Sequence, residues 1–336
     1  MSGLLDKRLI FVTGKGGVGK STVATALGLL SARSGLRTIV VELSAQDRIQ
    51  RTLADQDGEA GERPDPLVEN ELSPGLFTIS IDPQQAMEEY LRIKIGPIGQ
   101  AIGSSKLFHA FAMATPGMRE LLSIGKVWEL AQLHRRTRGA APYDLVVVDT
   151  PASGHGVGIL RTPRTFAEIA RVGPIAHQGR AIARTIADSD FTAVLAVATP
   201  EEMPVNETLM LRDALASDGL SLHNVIVNAV YPSRFEADEL LHLREAVEDA
   251  DSPLARAAIR AAVSECARAD NQRRQLTRLA AGLGRPLIEL PFVFADHLGR
   301  GELERLADRL GAGFAGEERE AKPTRPPAAH AAEELP

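Results

Sequence analysis

Gly14-Lys15-Gly16-Gly17-Val18-Gly19-Lys20-Ser21-Thr22 follows the apolar run Leu9-Ile10-Phe11-Val12 and opens a helix-like run from Val23 to Ala32. The stretch fits G-x-x-x-x-G-K-[ST], in which glycines let backbone N–H groups curl around phosphate oxygens. Lys20 then reaches the terminal phosphates, and Ser21 offers a hydroxyl to Mg²⁺. The helix that follows adds its positive end to the same anion. Gly14, Lys15, Gly16, Gly17, Val18, Gly19, Lys20, Ser21 and Thr22 are therefore the expected phosphate-binding residues. A plain glycine-rich turn leaves the Lys20-Ser21 pair unexplained. Lys15 is unusual, because an ordinary loop of this type reserves no lysine after its first glycine. A cation there stabilises charge developing on a terminal phosphoryl group, on its own nucleotide or across an interface.

Short β-branched runs alternate with longer helical patterns outward from this loop. Strands are predicted at Leu9 to Val12, Thr38 to Val41, Phe77 to Ile81, Leu145 to Val148, Ala193 to Ala198, Val225 to Val227 and Leu287 to Leu290. The alternation predicts an α/β fold, a doubly wound and mostly parallel sheet with helices on both faces. Asp144-Leu145-Val146-Val147-Val148-Asp149 is nearly continuous in apolar character and suits a strand buried on both faces. An inserted helical subdomain is expected from about 83–140, 160–190 and 233–281. The main domain then covers 1–314, and the Glu-, Ala-, Pro- and Lys-rich 315–336 reads as a disordered tail.

The chain has 336 residues, 44% of them hydrophobic, and a net charge of −6, which is the composition of a soluble globular protein. Mild acidity argues against a nucleic-acid partner. No apolar run approaches the roughly 20 residues that span a bilayer, and Met1 to Lys7 lacks a signal-peptide core. A cytoplasmic location is expected, with membrane contact at most peripheral or through a partner. The single cysteine, Cys266, excludes an intrachain disulfide and any internal Cys-x-x-Cys metal site.

Asp149 ends a buried strand, and in such folds that end faces the ligand crevice. It is the expected Mg²⁺-side carboxylate, acting through the metal's water shell or on Ser21, because Mg²⁺ takes few protein ligands. Asn228 follows Val225-Ile226-Val227. Its amide suits the exocyclic amine and ring nitrogen of a base, and equally a strand-end cap.

With the loop GKGGVGKST at its head, the chain resembles the dimeric ATPases that include the arsenite-pump subunit ArsA, the GET carriers of tail-anchored proteins, the ParA and MinD partition proteins and nitrogenase iron protein. The resemblance spans about Arg8 to Leu310. The run Pro200-Glu201-Glu202-Met203-Pro204-Val205-Asn206-Glu207-Thr208 narrows it to the ArsA/GET branch. It implies a P-loop NTPase that binds ATP with Mg²⁺ and works as a homo- or heterodimer with a related ATPase, Lys15 reaching the partner's nucleotide. Asp149-Thr150-Pro151-Ala152-Ser153-Gly154-His155 resembles the family's second switch with Ala-Pro inverted, and Gly154 then supplies a backbone amide to the γ-phosphate. His155 is either a switch residue or a structural histidine. Asn228 with Pro291-Phe292 falls where the family cradles adenine.

The first switch departs from the pattern. The family places a water-positioning Asp after the second strand, whereas this chain reads Val41-Glu42-Leu43-Ser44-Ala45-Gln46-Asp47. Aligned through the strand, that Asp is Ser44, a poor base at neutral pH. Asp47 or Glu42 would have to compensate. The expected catalytic set is thus Lys15, Lys20, Ser44, Asp47 and Asp149, with hydrolysis slow when the chain is alone. The alternatives are a non-hydrolysing regulatory subunit and, with less support, a ParA/MinD-like positioning ATPase. The cysteine count removes the iron–sulfur members and the Cys-x-x-Cys zinc clasp of GET carriers. Met87, Tyr90, Leu91, Phe108, Phe111, Met113, Met118, Leu121, Leu122, Val127 and Trp128 give 87–133 a high apolar density. The segment reads either as core or as a groove for a hydrophobic protein client.

Overall fold

The computed structural model describes residues 3–43, 48–54, 67–95, 114–135, 139–170, 173–249 and 252–321. A 3₁₀ turn, Leu4–Asp6, leads into β1 (Leu9–Thr13), α1 (Lys20–Arg33), β2 (Thr38–Glu42) and α2 (Arg48–Ala54). Next come β3 (Asn70–Ser73), β4 (Leu76–Ser80), α3 (Pro83–Ile95), α4 (Met118–Leu130), β5 (Leu145–Asp149), α5 (Ser153–Ala170) and α6 (Pro174–Ala187). The order ends with β6 (Thr192–Ala198), α7 (Glu202–Ser217), β7 (Asn224–Val230), α8 (Ala237–Asp249), α9 (Pro253–Leu283), β8 (Ile288–Pro291) and α10 (Arg300–Ala321).

The strands form one sheet in the order β3-β4-β2-β5-β1-β6-β7-β8. Neighbours run parallel from β4 to β8, and β3 alone is antiparallel. The seven expected strands are present, and the fold is the doubly wound α/β arrangement. β3 is the strand that the sequence pattern does not predict. Asn70-Glu71-Leu72-Ser73 carries no β-branched residue and forms because the turn at Pro74-Gly75, with Gly75 at φ 79°, folds it back on β4.

All five residues of β1, β2 and β5 and all seven of β6 are buried. Their unbroken apolar character follows from helices covering both faces. On one face Ile10, Val12, Val40, Val147 and Leu195 meet Val23 and Leu27 of α1 and Leu306 and Leu310 of α10. On the other, Phe11, Val41, Val148 and Ala196 meet Ile124 and Val127 of α4, Ile159 of α5, Ile182 of α6 and Leu279 of α9. Each such aliphatic side chain stabilises the fold by roughly 1.5–3 kcal/mol on burial. Gly28 lets α1 seat closely, because a Cβ there would stand 2.5 Å from Cγ2 of Val40.

The helical blocks are helical where described, and α4, α5, α6 and α9 feed side chains into the sheet's own core. Among the described residues, only Met87 and Leu91, with Tyr90, Met118 and Leu122 against them, form a separate small cluster between α3 and α4. Val127 is fully buried, Leu121 and Trp128 pack on the main core, and the Trp128 indole donates to Thr185. Met87, Leu91 and Val127 of the apolar-rich segment are therefore interior, whereas Leu133 at its end is exposed. Phe108, Phe111 and Met113 lie outside the described residues. At the C-terminus the expected boundary at 315 falls inside α10, which continues to Ala321. Phe314 is buried and anchors the helix before that point, while the proline-containing 322–336 lies outside the described residues.

A buried charge network ties α3 and α4 to the β3 edge. Arg135 reaches Glu69 at 2.6 Å and Glu129 at 3.0 Å. Lys126 bridges Glu89 at 2.9 Å and Glu129 at 3.2 Å, and the Tyr143 hydroxyl donates to Glu69 at 2.6 Å. Burial alone would raise the Glu69 carboxyl, yet the hydrogen bonds from Arg135 and Tyr143 outweigh it and hold the group below the usual carboxylate range. Burial and the Glu69 charge both push the Tyr143 phenol up. A carboxyl lowered by folding stabilises the native state at neutral pH, and the contribution disappears as pH falls through its titration. Glu69→Gln should therefore melt lower than the parent at pH 7, with the gap closing below about pH 4. A gap independent of pH in thermal melts would show that Glu69 is not the titrating group.

Candidate nucleotide site

The loop and Asp149 are brought together by strand order. β1 lies between β5 and β6, and Val12 is in register with Asp149. The loop leaving β1 thus stands beside the carboxylate ending β5, at the carboxyl edge of the sheet where its winding changes direction. The Ser21 hydroxyl donates to Oδ2 of Asp149 at 2.5 Å. Thr150 is pinned to the end of β1 through its amide and hydroxyl, which donate to the Val12 carbonyl at 3.1 and 2.9 Å.

Within the loop, Gly14, Gly17 and Gly19 have φ of 146°, 84° and 92°. Two of these glycines are also required by contact. A Cβ on Gly14 would lie 2.1 Å from the Val197 carbonyl oxygen, and one on Gly19 would lie 2.2 Å from Nδ2 of Asn228. Gly19 precedes α1 without a side-chain cap, so the first N–H groups of the helix face the loop. Lys20 Nζ donates to the Lys15 carbonyl at 2.9 Å, folding its side chain over the loop. Lys15 Nζ pairs instead with Oε1 of Glu207 on α7 at 2.9 Å.

Oxygen donors from a hydroxyl and a carboxylate, with uncapped amides and a lysine beside them, fit Mg²⁺ and a polyphosphate. Gly154 stands in the first turn of α5, close to Asp149 in sequence. Gly16 faces the Ala152 side chain across the loop. Ser44 and Asp47 lie outside the described residues. Glu42 is buried at the end of β2, where its carboxylate accepts from the Ile49 amide of α2 at 2.5 Å. It caps the start of α2.

Asn228 is aimed at the loop by a bulge. From the Val227–Glu289 pair to the Val230–Pro291 pair, β7 advances three residues while β8 advances two. The extra residue leaves Ala229 at φ 60°, and buried Gln272 of α9 holds the turn. Gln272 donates to the Ala229 carbonyl at 3.2 Å and accepts from the Tyr231 amide at 2.7 Å. The Asn228 amide then donates to the Val18 carbonyl at 3.0 Å. Pro291-Phe292 follows on β8, and Phe292 stacks on Tyr231 with centroids 4.6 Å apart. Phe294 completes an edge-to-face group with both rings, and Arg268 donates to the Tyr231 hydroxyl. Sequence reading missed Tyr231, Phe294, Gln272 and Glu207. The aromatic signal was present, because aromatics are only 4% of the chain and three of them gather just past two adjacent strands.

Comparison with known proteins agrees with this geometry. The profile of the family described as anion-transporting ATPase matches residues 7–178 and 169–251. ATPase BagA of Mycobacterium tuberculosis is 31% identical over 259 residues, which cover 75% of this chain and 73% of that protein. ATPase GET3A of Arabidopsis thaliana is 26% identical over 270 residues, covering 70% of each. The arsenical pump-driving ATPase of Escherichia coli is 23% identical over 69% of this chain, which spans 41% of that longer protein.

The two left-handed glycines should respond differently to an added methyl. Gly17→Ala meets nothing within 4 Å and pays only backbone strain, about 1–2 kcal/mol. Gly19→Ala pays the same strain and collides with Asn228, so its loss in denaturant unfolding should be larger. Adding Asn228→Ala should recover part of the excess. Equal losses for the two glycine variants would show that Asn228 does not press on the loop.

Proposed function

The chain belongs to the anion-transporting ATPase family, and on that premise we propose that it binds ATP with Mg²⁺ at the Gly14–Thr22 loop and works as a nucleotide-switched dimer. The observation that carries this reading is the Ser21–Asp149 hydrogen bond of 2.5 Å at the mouth of a glycine loop with an uncapped helix behind it. Lys20 supplies the cation for the β- and γ-phosphates, as a charge-assisted donor. The loop amides carry the remaining phosphate contacts. Ser21 and Asp149 would hold Mg²⁺, which would supply charge neutralisation for the phosphates. Asp149 also fixes the Ser21 hydroxyl in place.

Tyr231, Phe292 and Phe294 form an aromatic group beside the Asn228 turn, and on this reading it supplies the apolar contact to an adenine ring. Asn228 supplies the polar recognition on this reading, after giving up its bond to the Val18 carbonyl or while keeping it through the other amide hydrogen. Lys15 acts across the dimer on the partner's nucleotide, where the partner is a second copy or a related ATPase chain. Among the described residues no helix is long and apolar enough to cross a membrane. A hydrophobic protein client, on this reading, would engage the apolar-rich segment 87–133.

Ser44 at the expected water-positioning site favours slow hydrolysis by the chain alone and keeps a second reading open, a regulatory subunit whose nucleotide stabilises an assembly. A positioned general base contributes on the order of 10²–10⁴-fold in rate. Turnover with and without a related partner chain separates the two readings.

Two substitutions test the site. Lys20→Ala should weaken ATP binding at least tenfold in calorimetry, from loss of a charge-assisted contact worth about 1.5–3 kcal/mol; unchanged affinity would sink the assignment. Ser44→Asp should raise turnover at least about tenfold with little change in ATP affinity. If instead the parent turns over well, loses activity on Asp47→Asn and gains nothing from Ser44→Asp, Asp47 is the working carboxylate.

A further inference from the structure

Whereas Lys20 folds over the loop onto the Lys15 carbonyl, Lys15 extends its side chain to α7. Its ammonium lies 2.9 Å from Oε1 of Glu207, in the second turn of α7, and each side chain is 32% exposed. The contact follows from how the loop is seated. Gly14 rests against the Val197 carbonyl near the end of β6, and the chain leaves β6 to form α7, whose first turns run beside the loop. The bond from Lys20 to the Lys15 carbonyl fixes the backbone from which the Lys15 side chain departs.

We propose that Glu207 is the positioning residue for Lys15. In the nucleotide-free chain its carboxylate holds the ammonium on the chain's own α7, and Lys15 exchanges this partner for phosphate oxygens when a dimer closes over nucleotide. The proposal rests on the reading of this loop as an ATP site and of Lys15 as a residue that acts across the dimer. Physical chemistry favours exchange here. A half-solvated ion pair shifts an equilibrium only about two- to fivefold, so a polyphosphate carrying several negative charges displaces one carboxylate. A fully buried pair would resist that displacement. The surroundings also leave the route open. Met203 and Met210 lie at i−4 and i+3 from Glu207, on the same face of α7, and are 58% and 70% exposed. Among the described residues no packed layer covers the helix at those two positions, so Lys15 can swing outward without displacing core.

The first test reads Lys15 directly, in the full chain without nucleotide. Acylation of lysines by an amine-reactive ester, followed by peptide mass spectrometry, should show Lys15 labelled about two- to fivefold faster in Glu207→Gln than in the parent. Glu207→Asp should fall between them. Equal Lys15 labelling in parent and Glu207→Gln overturns the proposal. The second test reads assembly by sedimentation with a non-hydrolysable ATP analogue. Glu207→Gln should tighten nucleotide-dependent dimerisation several-fold, and the gain should vanish when Lys15→Ala is also present. A gain that survives Lys15→Ala shows that Glu207 acts through another group and overturns the positioning role. If the analogue binds no chain, the ATP reading itself fails, and the release step fails with it. If it binds the parent and drives dimerisation, with no gain from Glu207→Gln, the functional reading stands and only the role of Glu207 falls.

Discussion

The Ser21 hydroxyl and the Asp149 carboxylate meet at 2.5 Å although 128 residues separate them in the chain. They meet because β1 and β5 are adjacent, parallel and in register, Val12 opposite Asp149. A parallel pair needs a long crossover, so this one contact requires the intervening chain to fold before the site exists. β2 and β4, with the helices between them, fill that crossover. Continuous apolar strands then serve the site as well as the core. Burial on both faces fixes the height at which β1, β2 and β5 stop, and their ends are where the loop, Glu42 and Asp149 stand, while Asn228 sits within β7 at its bulge.

A second constraint acts from the opposite side of the loop. The bulge in β7 turns Asn228 onto Val18, and Gln272 of α9 holds the left-handed Ala229 that makes the bulge. A left-handed alanine costs about 1–2 kcal/mol, and two hydrogen bonds from one buried glutamine offset a cost of that size. The loop is therefore gripped between β5 and β7, with Val197 of β6 beneath Gly14. Glycine is demanded at Gly14 and Gly19 by this grip as much as by the phosphate geometry. Far from the loop, the Arg135–Glu69 and Lys126–Glu89 contacts anchor α3 and α4, so the sheet edge beyond β4 has its own polar fastening.

Legibility in the sequence varied with the range of the interaction. Seven strands could be read from short apolar runs, β1, β2, β5 and β6 most plainly because every residue in them is buried. β3 could not, since its four residues depend on a turn and a neighbour rather than on composition. The residues from Gly14 to Thr22 were legible because one local motif contains the loop, its glycines and the helix start. Helix α10 ran past the composition boundary at 315, as burial of Phe314 against the sheet extends order beyond what local composition indicates.

The sequence by itself determined the α/β class, the strand–glycine-loop–helix unit that carries Lys15, Lys20 and Ser21, and the acidic end of β5 at Asp149, because each is encoded in a contiguous run. Tertiary structure alone decided which partners those groups find. Glu207 faces Lys15 only because α7 follows β6 past the loop. Tyr231, Phe292 and Phe294 become one aromatic group only because β7 and β8 lie side by side. Gln272 reaches the Asn228 turn from a helix 43 residues beyond Ala229. Such contacts depend on the order and register of strands, which hydrophobic periodicity does not record.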